Sequence, residues 1–359
     1  MTNDAQDKIN AFVDEVNKQY KTDLAGRGNT LAATQRDRFS SGILALDLVL
    51  GGGWPFGAIS TVAGEESTGK TLIMLKTIAA LSDHCKTCRC HRTGCKCGDF
   101  TPCTALFVDV EGAFDKAWAA KNGYDFDLHA HIRPDYAEQT VDVVSAALES
   151  GAFDVIVVDS LAAMTSSTEI QDSAEQARMG GNAILLNKAF RKWPSAMNRV
   201  ANTGVKPPAL ICLNQLREKI GVMWGDSRVM PGGRGQLFAS SVIVWTKAIK
   251  YLDDNEKLTA FVDLAGVTKK NKTYVPHLTY ECKMALKDID GIMAGHIFNE
   301  TTMVKKGKQY GIITREGGVG FGDFRARVED DLRAMLREDV DKARKLWAKI
   351  VKAECGVDV

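Results

Sequence analysis

One octapeptide, GEESTGKT at residues 64–71, limits the fold of this chain more than any other stretch. Two glycines flank a four-residue spacer and Lys-Thr follows, a spacing that turns successive backbone N–H groups inward on one oxygen-rich anion with a helix dipole behind them. Such a loop needs a buried strand before it and a helix after it. AISTVA at 58–63 reads as a short apolar strand and LIMLKTIAAL at 72–81 as a buried helix, so the frame is present. The expected occupant is a phosphate chain. Glu65, Glu66, Ser67, Thr68 and Gly69 form the loop, Lys70 is expected to reach the β- and γ-phosphates, and the Thr71 hydroxyl to ligate Mg2+.

Further apolar runs alternate with helical stretches: TALFVDVE (104–111), DVIVVDS (154–160), ALICLNQ (209–215) and SVIVWTKAI (241–249). Continuous apolar runs with polar ends suit parallel strands covered on both faces, which predicts an α/β fold of the P-loop type with a mostly parallel central sheet. Ahead of it, Ile9, Phe12, Val13, Val16 and Tyr20 recur at helical spacing and predict an N-terminal amphipathic helix, followed by a polar linker. At the other end, Leu332, Met335, Leu336, Val340, Ala343, Trp347 and Ile350 predict one helical stripe over 328–351. The expected division is 1–38 for the helix and linker, 39–283 for the ATPase-type core, and 284–359 for a small α/β or helical C-terminal domain.

Charge narrows the partners little. With 46 Lys and Arg against 45 Asp and Glu, any nucleic-acid surface must be local, made by particular loops. The N-terminus has no apolar leader and no apolar run approaches ~18 residues, so the sequence predicts neither secretion nor a membrane span, and a cytoplasmic location is the default expectation.

The strand ends carry the chemistry. Asp159 ends a buried strand, where ligands of open α/β sheets collect, and is placed to hold Mg2+. Glu111 ends another and could hold and deprotonate a water in line with the γ-phosphate; a solvated loop acid is the competing reading. Asn214 and Gln215 end a third with neutral amides, able to sense a phosphate by hydrogen bonds. Between strands, GVMWGDSRVMPGGRG at 221–235 sets Met223, Trp224 and Met230 among Arg228 and Arg234 on a Gly-rich backbone. Apolar side chains beside arginines suit insertion between bases and neutralisation of phosphates with little sequence preference.

Five segments, GEESTGKT, FVDVEGAFDKAW, DVIVVDSLAAMT, NQLREKIGVMWGDSRVMPGGRGQLFASS and the KNK of 270–272, stand in the order and wording of the bacterial RecA recombinase family, which this chain resembles clearly over 39–281. The resemblance implies a RecA-type core and a DNA-dependent ATPase that forms a homo-oligomeric helical filament on single-stranded DNA and pairs it with double-stranded DNA. It implies that Glu111 activates water, that Gln215 senses the γ-phosphate, and that Trp118, where Tyr is usual, packs on the adenine of ATP, with Asp115 near its amino group. Lys270 and Lys272 match lysines that a neighbouring protomer brings to the ATP site; a solvated basic turn is their local reading. Residues 166–181 are similar to the family's first DNA loop, with Arg178 and Met179 near its tip and Arg191 on the next helix. The segment around Trp224, Arg228 and Arg234 is similar to the second, although Arg and Pro replace small polar residues at 230–234. Phe238 matches a residue of the protomer interface, and a core Phe is an equal local reading. The family's acidic tail is missing: 323–359 holds nine Lys and Arg against nine Asp and Glu. A compact ending and an unusual insert fit a phage-encoded member. Two other functions remain in play, a ring-forming helicase on the same core and a nucleotide-gated DNA-binding scaffold with negligible turnover.

The insert is HCKTCRCHRTGCKCGDFTPC, 84–103, which holds six of the nine cysteines. Cytosolic disulfides are disfavoured, and CxxC followed by further thiols offers more ligands than a tetrahedral Zn2+ needs. Cys85, Cys88, Cys95 and Cys97 are the first choice, with Cys90, His91 and Cys103 as substitutes or two zincs sharing ligands. An iron-sulfur or redox site and an unliganded loop are the alternatives.

Overall fold

The computed structural model describes residues 3–20, 36–171, 181–218, 227–252 and 258–357. Eight strands form the central sheet: β1 (Ile59–Gly64), β2 (Ala105–Asp109), β3 (Ala130–Ile132), β4 (Val155–Asp159), β5 (Ala209–Gln215), β6 (Val242–Leu252), β7 (Leu258–Asn271) and β8 (Thr279–Ala285). Their lateral order is β8-β7-β6-β1-β5-β4-β2-β3. Neighbours from β6 to β3 are parallel, and β7 and β8 extend one edge as antiparallel strands. The fold is α/β of the RecA type.

The principal helices are α1 (Asn3–Tyr20), α2 (Leu44–Leu50), α3 (Lys70–Leu81), α4 (Lys116–Lys121), α5 (Ala137–Ser150), α6 (Gly181–Asn202), α7 (Asn299–Gln309), α8 (Glu329–Glu338) and α9 (Val340–Cys355). Side chains of a strand alternate between faces, so each parallel strand feeds two layers. Val62, Phe107, Val157 and Ile211 pack in the cluster with α2 and α3, whereas Leu106, Val108, Ile156 and Leu210 pack with α5 and α6. A third cluster joins α7, α8 and α9 to Leu44 and Leu48 of α2, so the C-terminal segment is seated on the core.

Two expectations need correction. The stripe at 328–351 is two helices, α8 and α9, broken at Asp339, whose carboxylate accepts from the Lys342 N–H at 2.9 Å and caps α9. A polar residue able to cap competes with helix continuation, and the apolar spacing cannot register this. The sheet also runs past the last expected strand. In β8, Tyr280, Cys282 and Met284 are buried while Thr279, Glu281 and Lys283 are exposed, the alternation of a half-covered antiparallel strand rather than a continuous apolar run. In α1, the stripe residues Ile9, Phe12 and Tyr20 are exposed. No helix among the described residues is long and apolar enough to cross a membrane.

All seven residues of α2 are buried, including Asp47. Its Oδ1 accepts from the Ser41 N–H at 2.7 Å and the Ser41 hydroxyl at 2.6 Å, and its Oδ2 from the Ser40 hydroxyl at 2.6 Å. Burial pushes this carboxyl up to about 6 against the pull of those hydrogen bonds. A folded-state value above the unfolded one means stability that is full below about pH 4 and lost as pH rises through about 6. Relative to Asp47→Asn, the wild-type protein is expected to be more stable at about pH 5 than at about pH 7 by on the order of 1 kcal/mol. Thermal unfolding of both proteins at both pH values checks this; a gap independent of pH contradicts it.

Candidate functional site

The C-terminal ends of β1, β4 and β5 open on a cavity of about 480 Å3. The phosphate loop forms one wall. Gly64 ends β1 so tightly that an added Cβ would stand 2.5 Å from Thr68 Oγ1 and 2.6 Å from the Thr246 carbonyl oxygen. Gly69 takes φ +79° at the start of α3, a left-handed conformation that favours glycine. Lys70 Nζ donates to the carbonyls of Gly64 at 3.1 Å and Glu65 at 2.7 Å, which holds the ammonium over the loop, and burial lowers its pKa. Glu66, Ser67 and Thr68 line the same cavity, while Glu65 serves through its carbonyl, which also accepts from Thr68 Oγ1.

Thr71 and Asp159 meet as the sequence requires of two ligands to one cation. The Thr71 hydroxyl donates to Asp159 Oδ2 at 2.8 Å, and burial raises the Asp159 carboxyl to about 6. A half-buried ammonium, a hydroxyl-carboxylate pair and a turn too tight for side chains are groups that could receive a triphosphate with its Mg2+. Trp118, Ala248, Leu264 and Met284 supply an apolar wall beside it. A flat ring could stack there.

Glu111 lies in this cavity with its backbone N–H on the Asp159 carbonyl at 3.2 Å. Its Oε1 accepts from the Ser160 hydroxyl at 2.5 Å and faces Gln215 Nε2 at 3.5 Å. Sequence reasoning missed Ser160, although it directly follows Asp159. Asp109, two residues before Glu111, was missed as well: its carboxylate accepts from the N–H groups of Gly112 at 2.8 Å, Ala113 at 3.2 Å and Phe114 at 3.3 Å, fixing the turn after Glu111. Asp115 caps α4 by accepting from the Trp118 N–H at 2.9 Å.

Beside Gln215, Asn214 Nδ2 donates to the Pro231 carbonyl at 3.0 Å and to Gln236 Oε1 at 2.8 Å. The strand that carries Gln215 is thereby latched to the segment containing Arg234, which is exposed. Gln236 lies within the 214–241 segment, but the sequence alone assigned it no role. Arg228 is half-buried with its guanidinium 5.4 Å from the Trp245 ring centre, and Arg191 is exposed on α6. Arg178, Met179 and Trp224 lie outside the described residues.

Lys270 and Lys272 are not part of this cavity. Lys270 pairs through Ile243 with Thr61, three residues before Gly64, and its Nζ donates to the Leu237 carbonyl at 2.5 Å. The Lys272 N–H donates to the Ser241 carbonyl, at the start of β6. Both stand toward the end of the sheet away from the phosphate loop. Nearby Phe238 is 73% exposed, which removes the core reading for it. Within the insert, Cys85, Cys88, Cys95 and Cys97 come together, and Cys103 belongs to the core cluster instead.

A family model described as the RecA N-terminal domain matches residues 7–290. The chain is 34% identical over 280 residues to Protein RecA of Mesomycoplasma hyopneumoniae (strain 7448), covering 78% of this chain and 74% of that protein. It is 30% identical over 362 residues to Protein RecA of Frankia casuarinae, covering 99% and 94%, and 32% identical over 356 residues to that of Chlorobium chlorochromatii, covering 97% and 91%.

The short Ser160–Glu111 hydrogen bond gives a direct test of the pocket. Ser160→Ala is expected to leave affinity for a nucleoside triphosphate within about twofold and to slow γ-phosphate release roughly tenfold or more, the worth of a hydrogen bond to a charged group. Equilibrium binding and a phosphate-release assay measure the two separately; loss of both together would place Ser160 in folding rather than in the site.

Proposed function

The chain belongs to the RecA family, and from that premise we propose that it is an ATP-dependent recombinase, a DNA-dependent ATPase that forms helical filaments on single-stranded DNA and pairs the bound strand with homologous duplex. The observation that carries this reading is the division of the cations. Lys70 sits at the phosphate loop, whereas Lys270 and Lys272 stand outside that cavity beside exposed Phe238. In the proposed filament they enter the cavity of the next protomer, a head-to-tail contact that propagates as a helix when it does not close. The exposed stripe of α1 suits the same packing. The division into helix and linker (1–38), core (39–283) and C-terminal domain (284–359) is part of the proposal.

When bound, ATP supplies the anhydride to be cleaved and Mg2+ neutralises charge on its phosphates. Thr71 and Asp159 would hold the Mg2+, and Lys70 the β- and γ-phosphates. Ser160 and Gln215 fix Glu111 through Oε1, which leaves its Oε2 to take a proton from water. Trp118 offers its face to the adenine, and Asp115 holds the turn that presents it. Gln215 and Asn214, consecutive on β5, join the pocket to the Pro231–Gln236 latch, a route from nucleotide to the segment of Arg228 and Arg234. Arg178, Met179, Arg191 and Trp224 complete the proposed single-strand surface. Zn2+ in the cysteine insert is a structural ion outside this reaction.

Electron microscopy with single-stranded DNA and a slowly hydrolysed ATP analogue is expected to show helical filaments, and Glu111→Gln to lower turnover at least about a hundredfold while filaments persist longer. Closed rings would favour a helicase on the same core. Undiminished function in Glu111→Gln would point to a scaffold.

A further inference from the structure

The insert at 84–103 has no apolar core of its own. From Cys90 to Thr101 every residue is exposed or half-buried, while Cys85 and Cys103 at its roots are buried. A loop of this length without buried apolar side chains needs a cross-link to keep one shape. The sulfurs of Cys85, Cys88, Cys95 and Cys97 lie within 4.8 Å of one another, and those of Cys88 and Cys95 are 3.7 Å apart. Four thiolates at about 2.3 Å from a tetrahedral Zn2+ stand about 3.8 Å from each other, whereas a disulfide requires about 2.05 Å. Spacing of this kind is that of ligands around an ion. Cys90 turns its sulfur toward the Cys88 carbonyl and takes no part.

What the turn holds is as specific as the turn. The Cys88 carbonyl accepts from Lys206 Nζ at 3.3 Å, and the same ammonium donates to Asp37 Oδ2 at 3.0 Å. Arg89, the next residue, takes φ +62° and is buried. Its Nη2 donates to the carbonyls of Lys206 at 3.0 Å and Pro207 at 2.9 Å, and its guanidinium carbon lies 4.1 Å from the centre of the Phe56 ring. The Phe56 N–H closes the circle on the Asp37 carbonyl at 2.9 Å. Three stretches far apart in sequence therefore meet at the Cys88–Arg89 turn: the chain entering the core at Asp37, the Phe56 corner, and the approach to β5.

We propose that Zn2+ bound by Cys85, Cys88, Cys95 and Cys97 makes the insert a clip that fastens the entry segment at Asp37 to the loop before β5. The clip rests on the reading of the four cysteines as a Zn2+ site. It stands at the end of the sheet where β2 and β5 begin, opposite the phosphate loop at the end of β1. Loss of the ion therefore loosens the clip and leaves the nucleotide pocket in place.

Two measurements on the full-length protein separate the site from its role. Elemental analysis is expected to find about one zinc per chain, and Co2+ in its place to give the visible absorption of a tetrahedral tetrathiolate. Cys88→Ser and Cys95→Ser each lose the metal, and Cys90→Ser keeps it. Absence of zinc, iron in its stead, or zinc retained by both of the first two variants overturns the site. Hydrogen exchange then compares zinc-loaded protein with protein stripped by a mercurial reagent. Exchange is expected to rise at least about tenfold at 84–103, at 36–39, at Phe56, whose N–H is bonded to the Asp37 carbonyl, and at Lys206, while 64–71 is unchanged. A rise confined to 84–103 overturns the clip and leaves the metal site standing.

Discussion

The hydrogen bond from Thr71 to Asp159, 2.8 Å long, joins the first turn of α3 to the end of β4, two strands away from β1. The parallel register makes that contact possible. β1 is paired with β5 from Ile59 to Gly64 and β5 with β4, so the polar residues that end three apolar runs arrive side by side. Burial of the strands on both faces fixes the register, because a slip of one residue would exchange the layers that Phe107 and Leu106 occupy. The chemistry follows: a hydroxyl and a carboxylate placed for one cation, an ammonium over a turn that tolerates no side chain, and Glu111 hung from the Asp159 carbonyl.

Two kinds of support act on this frame from outside the pocket. Buried Asp47 ties the Ser40–Ser41 turn to α2, and Leu44 and Leu48 of the same helix seat the C-terminal segment on the layer that carries α3. At the start of β2 and β5 the cysteine turn gathers Asp37, Phe56 and Lys206.

Much of this was legible in the sequence, for a physical reason. A phosphate loop needs a fixed spacing between a strand and a helix, and continuous apolar runs in parallel strands announce both, so Lys70, Thr71, Asp159, Glu111 and Gln215 could be named and are found together. The four cysteines were legible because Cys-x-x-Cys followed by Cys-x-Cys on one short loop can bring its sulfurs together, as is found. Positions set by tertiary hydrogen bonds were not. Ser160 and Asp109 resemble ordinary strand-end residues until their partners are known, and Gln236 meets Asn214 across a loop. β8 was hidden because it alternates instead of running apolar, and the break at Asp339 because a cap leaves the apolar stripe intact. Exposure of Phe238 depends on how the preceding segment is latched, which local pattern does not encode.

The central claim is that one ATP site takes its residues from two protomers, and mixing tests it most directly. Glu111→Gln chains and chains carrying both Lys270→Ala and Lys272→Ala should each be inactive alone on single-stranded DNA. An equal mixture should recover about a quarter of wild-type hydrolysis, since one interface in four then pairs an intact Glu111 with intact lysines in a head-to-tail polymer. A mixture that stays as silent as its components, or lysine-substituted chains that hydrolyse ATP normally by themselves, would contradict the account.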